Sequence, residues 1–567
     1  MKKNHIINGV LTFFIIVLAW SCKDSFLDAN PQGAFSEVTL SNKKGVDAAL
    51  IAAYSMLDGW NNDWGQFGTP WPTAGSNWVF GSVASDDAYK GSEPGDQGEI
   101  TEVELYNWLP SNNYFNLKFR ALYEGVARSN AALKLAAKAT DIAPDDLASI
   151  QGEATFLRGH YFFELWKLYG NIPYFNETAD DFRQPNDRQP TAEIIADFQS
   201  AANKLPETQA AKGRANKFAA KSYLGKMYLY TKDYAKAKAE FDAVVNSKRY
   251  ELEPCFRNIF TTAKENGTEM IFSIQASTND GTGGGENGNF SDRLNYPHGG
   301  PFGCCGFHQP SQNLVNAYKV DANGLPLPNA NASELNPATD MVDPRLDFTV
   351  GRDDVPFYDW GVHAPGWIRS RSYAGPFSPK KLIYDKNSGA GSAVGWSNFQ
   401  LSALNIPVVR YADVLLMLAE CEVELNNLPR ARELVNMVRS RAAACSQGPV
   451  GSTATNFSDA SIVWAKYKVA PYTAAWTDQA VAREAVRLER RLELALEGHR
   501  FFDLRRYGLE YAKKILGDYA AVEKTRRPYI AQQVAFEAKH MLYPIPTIQI
   551  NLSQKDGVPQ LKQNPGW

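Results

Sequence analysis

Two stretches of this chain carry small residues twelve positions apart inside helical patterns, and that offset constrains the fold more than any other feature. In 217–248, Gly225 precedes Ala237 by twelve residues; in 410–444, Ala419 precedes Ala431 by the same interval. Small residues so placed let the two helices of a hairpin approach closely. Helical pairs recurring near both ends of a chain imply a solenoid, in which each pair buries its apolar face on the next. Between them, about 251–406, helix signal falls and Gly, Pro and Asn accumulate. That segment reads as one long excursion.

Leu224, Gly225, Tyr228, Ala237 and Phe241 sit at tetratricopeptide spacing. Segments 38–57, 114–139, 145–169 and 191–205 also read as helices, the third stopped by Gly170 and Pro173. The expected class is therefore all-α: a tetratricopeptide-like helical solenoid carrying a large loop-rich excursion. Its helical parts run about 36–250 and 407–517 within one domain, 22–567.

Stretch 484–508 is the most charged of the helical patterns. Leu488, Leu492, Ala495 and Phe502 mark an apolar face, and Thr477 and Asp478 are capping candidates. Glu484 stands three before Arg487, Arg490 before Glu493, Glu497 before Arg500, and Asp503 before Arg506. These read as ion pairs that dock the helix on its neighbours rather than as a reactive centre. Gly498 falls mid-helix, where it costs about 1 kcal/mol against Ala. A glycine there implies that another backbone packs close.

Several functions are excluded or disfavoured. Lys plus Arg is 59 against 62 Asp plus Glu, a net charge of −3, so no positive field exists to hold nucleic acid. The sequence has no H-E-x-x-H, G-x-S-x-G or Walker loop. Gly283, Gly285 and Gly288 fit G-x-G-x-x-G, but no helix pattern follows. Asp321 to Gly324 lacks the later ligands of a calcium loop. Adjacent acids at Asp86-Asp87 and Asp353-Asp354 rarely converge on one glycosidic bond. Neither an enzyme nor a cofactor or metal is expected.

The first 21 residues form a signal peptide: Lys2 and Lys3, then the apolar run from Val10 to Trp20. Leu18-Ala19-Trp20-Ser21-Cys22 resembles a bacterial lipobox with Cys22 acylated, although Trp20 is bulkier than usual there. Five other cysteines remain, an odd number that leaves at least one thiol free. Their spacing fits no zinc pattern. Cys421 and Cys445 lie on opposite arms of a hairpin, offset by about 15 Å along the helices. Both are expected as packed core thiols.

Several motifs together identify a family. Glu493, Glu497, Gly498, Arg500, Asp503, Leu504, Arg506 and Gly508 resemble the C-terminal signature of the SusD/RagB cell-surface nutrient-binding lipoproteins. Glu153, Ala154, Arg158, Tyr161, Leu165, Tyr169, Gly170 and Pro173 match its pattern, as do 410–420, 22–31, 542–546 and 563–567. The resemblance implies an outer-membrane, lipid-anchored protein that caps a SusC-like TonB-dependent transporter and hands it oligosaccharides. A RagB-type importer of peptides is the alternative, and a plain assembly scaffold a third reading.

A sugar ring offers an apolar C–H face and polar edges, so flat aromatics and Asp, Asn or Arg together can hold it. Each ring face buried on Trp contributes roughly 1 kcal/mol. Trp60, Trp64 and Trp78, followed by Asp86 and Asp87, supply both kinds of group, and Tyr296, Trp360 and Trp367 cluster in the excursion. Many of these aromatics must nonetheless be core. Cys304 and Cys305, set among glycines, would form as a vicinal disulfide a flat apolar plate facing Trp78. Two reduced thiols, or a purely structural bridge, are equal alternatives.

Overall fold

Asn and Asp side chains start most of the long helices. The computed structural model describes residues 37–60, 68–281, 287–392 and 400–567, so Cys22 and Trp64 lie outside the described residues. Asn42 caps α1 (Lys43–Ser55), splitting the expected 38–57 helix, and Asn112 caps α2 (Asn113–Ala136). Pro144 opens α3 (Pro144–Tyr169), which ends on Gly170 at φ 74°. α4 (Thr191–Lys204) follows. Asn216 caps α5 (Lys217–Tyr230), and Asp233 caps α6 (Tyr234–Asn246). The second helical part holds α7 (Tyr411–Glu424), α8 (Leu428–Ala442) and α9 (Gln479–Leu494, capped by Asp478). It ends with α10 (Arg500–Tyr507) and α11 (Leu509–Arg526).

Consecutive helices from α1 to α8 pack on one another, and α6 stacks on α7 although the whole excursion separates them in sequence. Periodicity alone indicated this solenoid, and the reason for its small residues is visible. A Cβ on Gly225 would lie 2.6 Å from the Phe241 ring of the paired helix, and Ala237, Ala419 and Ala431 are fully buried.

Among the described residues four strands exceed two residues: β1 (Ala88–Gly91), β2 (Met270–Ile274), β3 (Phe307–Pro310) and β4 (Ile406–Arg410). β2 pairs antiparallel with β4, so the two ends of the excursion lie side by side. β1 pairs antiparallel with β3, with Gly91 opposite Phe307. The excursion has an aromatic core of its own, built from Phe256, Tyr296, Phe302, Phe357, Trp360 and Trp367. A disulfide between Cys255 and Cys445 ties its start to the chain just after α8. This corrects the expectation of a thiol at Cys445: the hairpin comparison weighed only Cys421, whereas the partner comes from the excursion. Cys421 is a free buried thiol, as expected.

Stretch 484–508 is not one helix. Leu496 (φ 63°) and Gly498 (φ 74°) break it between α9 and α10. A Cβ at Gly498 would collide with the Ser76 carbonyl oxygen, and one at Gly81 with the Gly498 carbonyl oxygen. The close backbone expected at this glycine is present, but it packs into a break rather than a continuous helix.

The break redirects the charges. Glu484–Arg487 and Asp503–Arg506 pair as the spacing predicts. Glu493 instead takes Arg345, Arg410 and Arg441, and Glu497 takes Lys381 and Arg410, both at 2.9 Å. Arg345 also holds Asp343 and Glu489, Arg439 holds Glu489, and Glu269 joins Arg410 to Arg441. Five buried carboxylates thus meet five buried cations. Burial pushes the Glu493 carboxyl up, but Arg441, Arg410 and Arg345 outweigh it and hold it well below its ordinary range.

Gly498→Ala should destabilise the protein by more than about 3 kcal/mol, because left-handed backbone strain adds to a backbone collision. Urea unfolding of the variant, compared with Gly517→Ala at a helical position open to solvent, measures this.

Candidate functional site

Most of the aromatic residues expected to face a ligand are inside. Trp78 is fully buried, 6.2 Å from the Phe307 ring and 5.7 Å from His308. Tyr296, Trp360 and Trp367 do come together, around Phe302 at centroid separations of 5.5, 4.5 and 6.0 Å. The Trp360 indole N–H donates to the Tyr384 carbonyl at 2.8 Å. Trp60 stacks beneath Arg120. None of these five rings is more than 8% exposed. A loop-rich excursion has few helix faces from which to build a core, so its aromatics take that role.

Asp86 and Asp87 are likewise committed inside. Arg500 holds Asp86 through two contacts at 2.8 and 2.9 Å, and Arg491 bridges Asp86 and Asp87 at 3.1 and 2.8 Å. Burial raises the Asp86 carboxyl, but the two guanidinium groups more than offset it and hold it at about 2. The expectation that these carboxylates receive sugar hydroxyls is therefore corrected: both are buried and committed to Arg491 and Arg500.

What reaches the surface is the turn before β3. Cys304 and Cys305 are bonded to each other. Cys305 is buried, Cys304 is half-buried, and Gly300 and Gly303 beside them are exposed. Gln400 donates to the Cys304 carbonyl. Phe302 lies below in the aromatic core, and the Trp367 indole packs against Gly300. Trp78 lies in the interior, against Phe307 and His308 of β3.

The β1–β3 pairing brings a polar rim to the same place. Gly306 abuts His298 and Ser92. Arg369 donates to Ser92 Oγ at 3.0 Å, to Asp96 at 2.8 Å and to Glu93 at 2.5 Å. Lys90 lies beneath and donates to the Glu93 and Asp96 carbonyls; burial lowers it to about 8. Through Gly306 and Ser92, the turn that carries the disulfide is linked to an imidazole, a guanidinium and two carboxylates. Sequence reasoning missed Glu93, Asp96, His298 and Arg369, since only the strand pairing joins them.

A Ser-His-Asp arrangement is also present. His363 Nδ1 lies 3.0 Å from Asp353, and Nε2 lies 3.0 Å from Ser378 Oγ. A nucleophilic serine must reach a substrate carbonyl, but Ser378 is 1% exposed and sits in a strand ladder with Gly351. Asp353 is also shared with Arg371 at 2.6 Å. The set reads as a buried hydrogen-bond network. Among the described residues no group of three or more His, Cys, Asp or Glu gathers to hold a metal.

Comparison with known proteins defines the class. The model of the SusD family matches residues 268–567, more than half of the chain, and a second family model, described as starch-binding associating with outer membrane, matches 25–229. The chain belongs to the SusD family. Among curated relatives, SusD-like protein P2 of Formosa agariphila is 26% identical over 276 residues, 47% of this chain and about half (52%) of that one. SusD-like protein P25 of the same organism is 23% identical over 587 residues, 96% of this chain and 97% of that one. Surface glycan-binding protein A from Bacteroides thetaiotaomicron, solved in complex with laminarihexaose, has the same fold. Its TM-score is 0.66 at 20% identity, covering 92% of this chain and 99% of that one.

Asp86 and Asp503 are both held near 2, against an ordinary 3.8. The unfolded chain therefore binds more protons between those values, and the stability these groups contribute, full above about pH 5, is lost as pH falls toward 2. Each shift corresponds to about 2 kcal/mol. The melting temperature should drop steeply from pH 5 to pH 2 in calorimetric scans; a flat profile there would contradict the burial of these pairs.

Proposed function

We propose that this protein captures oligosaccharides at the cell surface and passes them to a SusC-like TonB-dependent outer-membrane transporter. The observation that carries the reading is the Cys304–Cys305 disulfide, half-buried at Cys304, with Glu93, Asp96, His298 and Arg369 near its turn. The plate takes an apolar sugar face, and the rim takes hydroxyls; the bare glycines beside it let a ring approach the backbone. Family membership supports the ligand class, as does the laminarihexaose complex of a protein with the same fold. Two or three such contacts give affinities of about millimolar to micromolar.

The solenoid offers an extended surface against which a transporter can seat, with the glycan held between the two. Attachment comes from lipid on Cys22, the last residue of the lipobox-like run Leu18 to Cys22. Two acyl chains are needed for stable anchoring.

Calorimetry with laminarihexaose and maltohexaose tests the capture step. Cys304→Ser/Cys305→Ser and Arg369→Ala should each weaken the bound glycan by about tenfold, or roughly 1.4 kcal/mol, with little change in melting temperature. Unchanged affinity in both variants would remove this surface from the proposal. Native protein extracted in mild detergent should carry an acylated Cys22 by mass spectrometry and copurify with a large barrel protein; an unmodified Cys22 counts against the anchor.

A further inference from the structure

A second pocket lies away from the disulfide surface and shares no residue with it. Its volume is about 630 Å³, within the range of small-ligand sites. One wall is a single face of α9, where Glu484, Arg487, Leu488 and Arg491 follow helical spacing. The other is a face of α11, with Tyr511, Ile515 and Val522. Arg500, from the start of α10, and Asp86 form the floor, and Asn313 and Asn331 close one side.

Most acceptors on the walls of this pocket are engaged; Asp518, paired with Lys514 at 2.7 Å, and Asn329 lie on its lining as further acceptors. The Asp86 carboxylate is engaged by Arg491 and Arg500. Both oxygens of Glu484 are occupied, one by Arg487 at 3.0 Å and the other by the Tyr511 hydroxyl at 2.8 Å. The Asn331 carbonyl oxygen accepts from Asn316 and Arg526, and that of Asn313 from Arg491. The donors are left over. Arg487 lies 4.2 Å over both the Tyr507 and Tyr511 rings, and its Nε is buried without a partner. Nη1 of Arg491 and Nη1 of Arg500 likewise make no hydrogen bond to the described residues, nor do the amide nitrogens of Asn313 and Asn331.

Stacking and ion pairing fix all three guanidinium groups, so they lose little entropy on meeting a ligand. Arg487, Arg491 and Arg500 are balanced by Asp86, Asp87 and Glu484, and Asp518 by Lys514, so selection here comes from directed donors rather than from net charge. A group with several acceptor oxygens and no hydrogen to donate complements such a wall. Leu488, Ile515 and Val522 offer apolar surface for the carbon skeleton that carries it.

We propose that this pocket is a second saccharide site, selective for a sugar bearing a carboxylate or a sulfate. Its test is independent of neutral-glycan capture. Digalacturonate, galactose 6-sulfate and galactose are titrated calorimetrically into the full chain, with sodium sulfate as competitor. At least one of the two anionic sugars should bind, sulfate should displace it, and galactose should bind at least tenfold more weakly. Whichever anionic sugar binds identifies the source of the oxyanion. Arg487→Gln, which leaves the Asp86 pairs in place, should weaken that binding at least tenfold while leaving laminarihexaose affinity unchanged. Asn313→Ala serves if the first variant melts early. Binding of neither anionic sugar, equal binding of galactose, or indifference to both substitutions would overturn the assignment.

Discussion

The fold depends on a knot of ten buried charged groups centred on Glu493. Glu493 alone meets guanidinium groups from three places: Arg345 in the excursion, Arg410 at the end of β4 and Arg441 in α8. Removing one member of the knot leaves the buried charges unbalanced, which costs about 3–5 kcal/mol. Hydrophobic packing could hold helices together over many registers, whereas fixed guanidinium geometry admits one. The knot therefore selects the position at which the loop-rich segment sits on the helices.

That selection matters because the excursion has little regular structure to orient itself. Its aromatic core keeps it folded, the Cys255–Cys445 bridge and the β2–β4 ladder gather its ends, and the charges set its attitude. The disulfide between Cys304 and Cys305, half-buried at Cys304, packs on the main apolar core. A surface so supported moves little when a ligand arrives, and less binding energy is lost to ordering it.

The helical half was largely legible in the sequence, because periodicity, capping and small-residue spacing are local signals. Gly225 against Phe241 and Asp478 at the start of α9 are of that kind. The identity of Gly498 was informative too, but its consequence was not: nothing local says that Ser76 will lie across it. The site was less legible. Trp78, Asp86 and Asp87 are residue types that suit a sugar, yet burial is decided by partners four hundred residues away, such as Arg491 and Arg500. Arg369 and Asp96 carry no pattern of their own and meet only through the pairing of β1 with β3. Motifs placed the chain in its family, while the direction in which each side chain faces required the fold.

Because α6 stacks on α7 as though nothing intervened, the excursion is topologically a cassette, with both ends at one hinge line. Four members of the charge knot enter from the cassette side: Glu269, Asp343, Arg345 and Lys381. They act as the teeth of a key. A different loop segment mounted on the same frame would have to bring those four groups, a cysteine for Cys445, and apolar residues in place of Phe272, Leu314, Val315 and Tyr318 in the shared core.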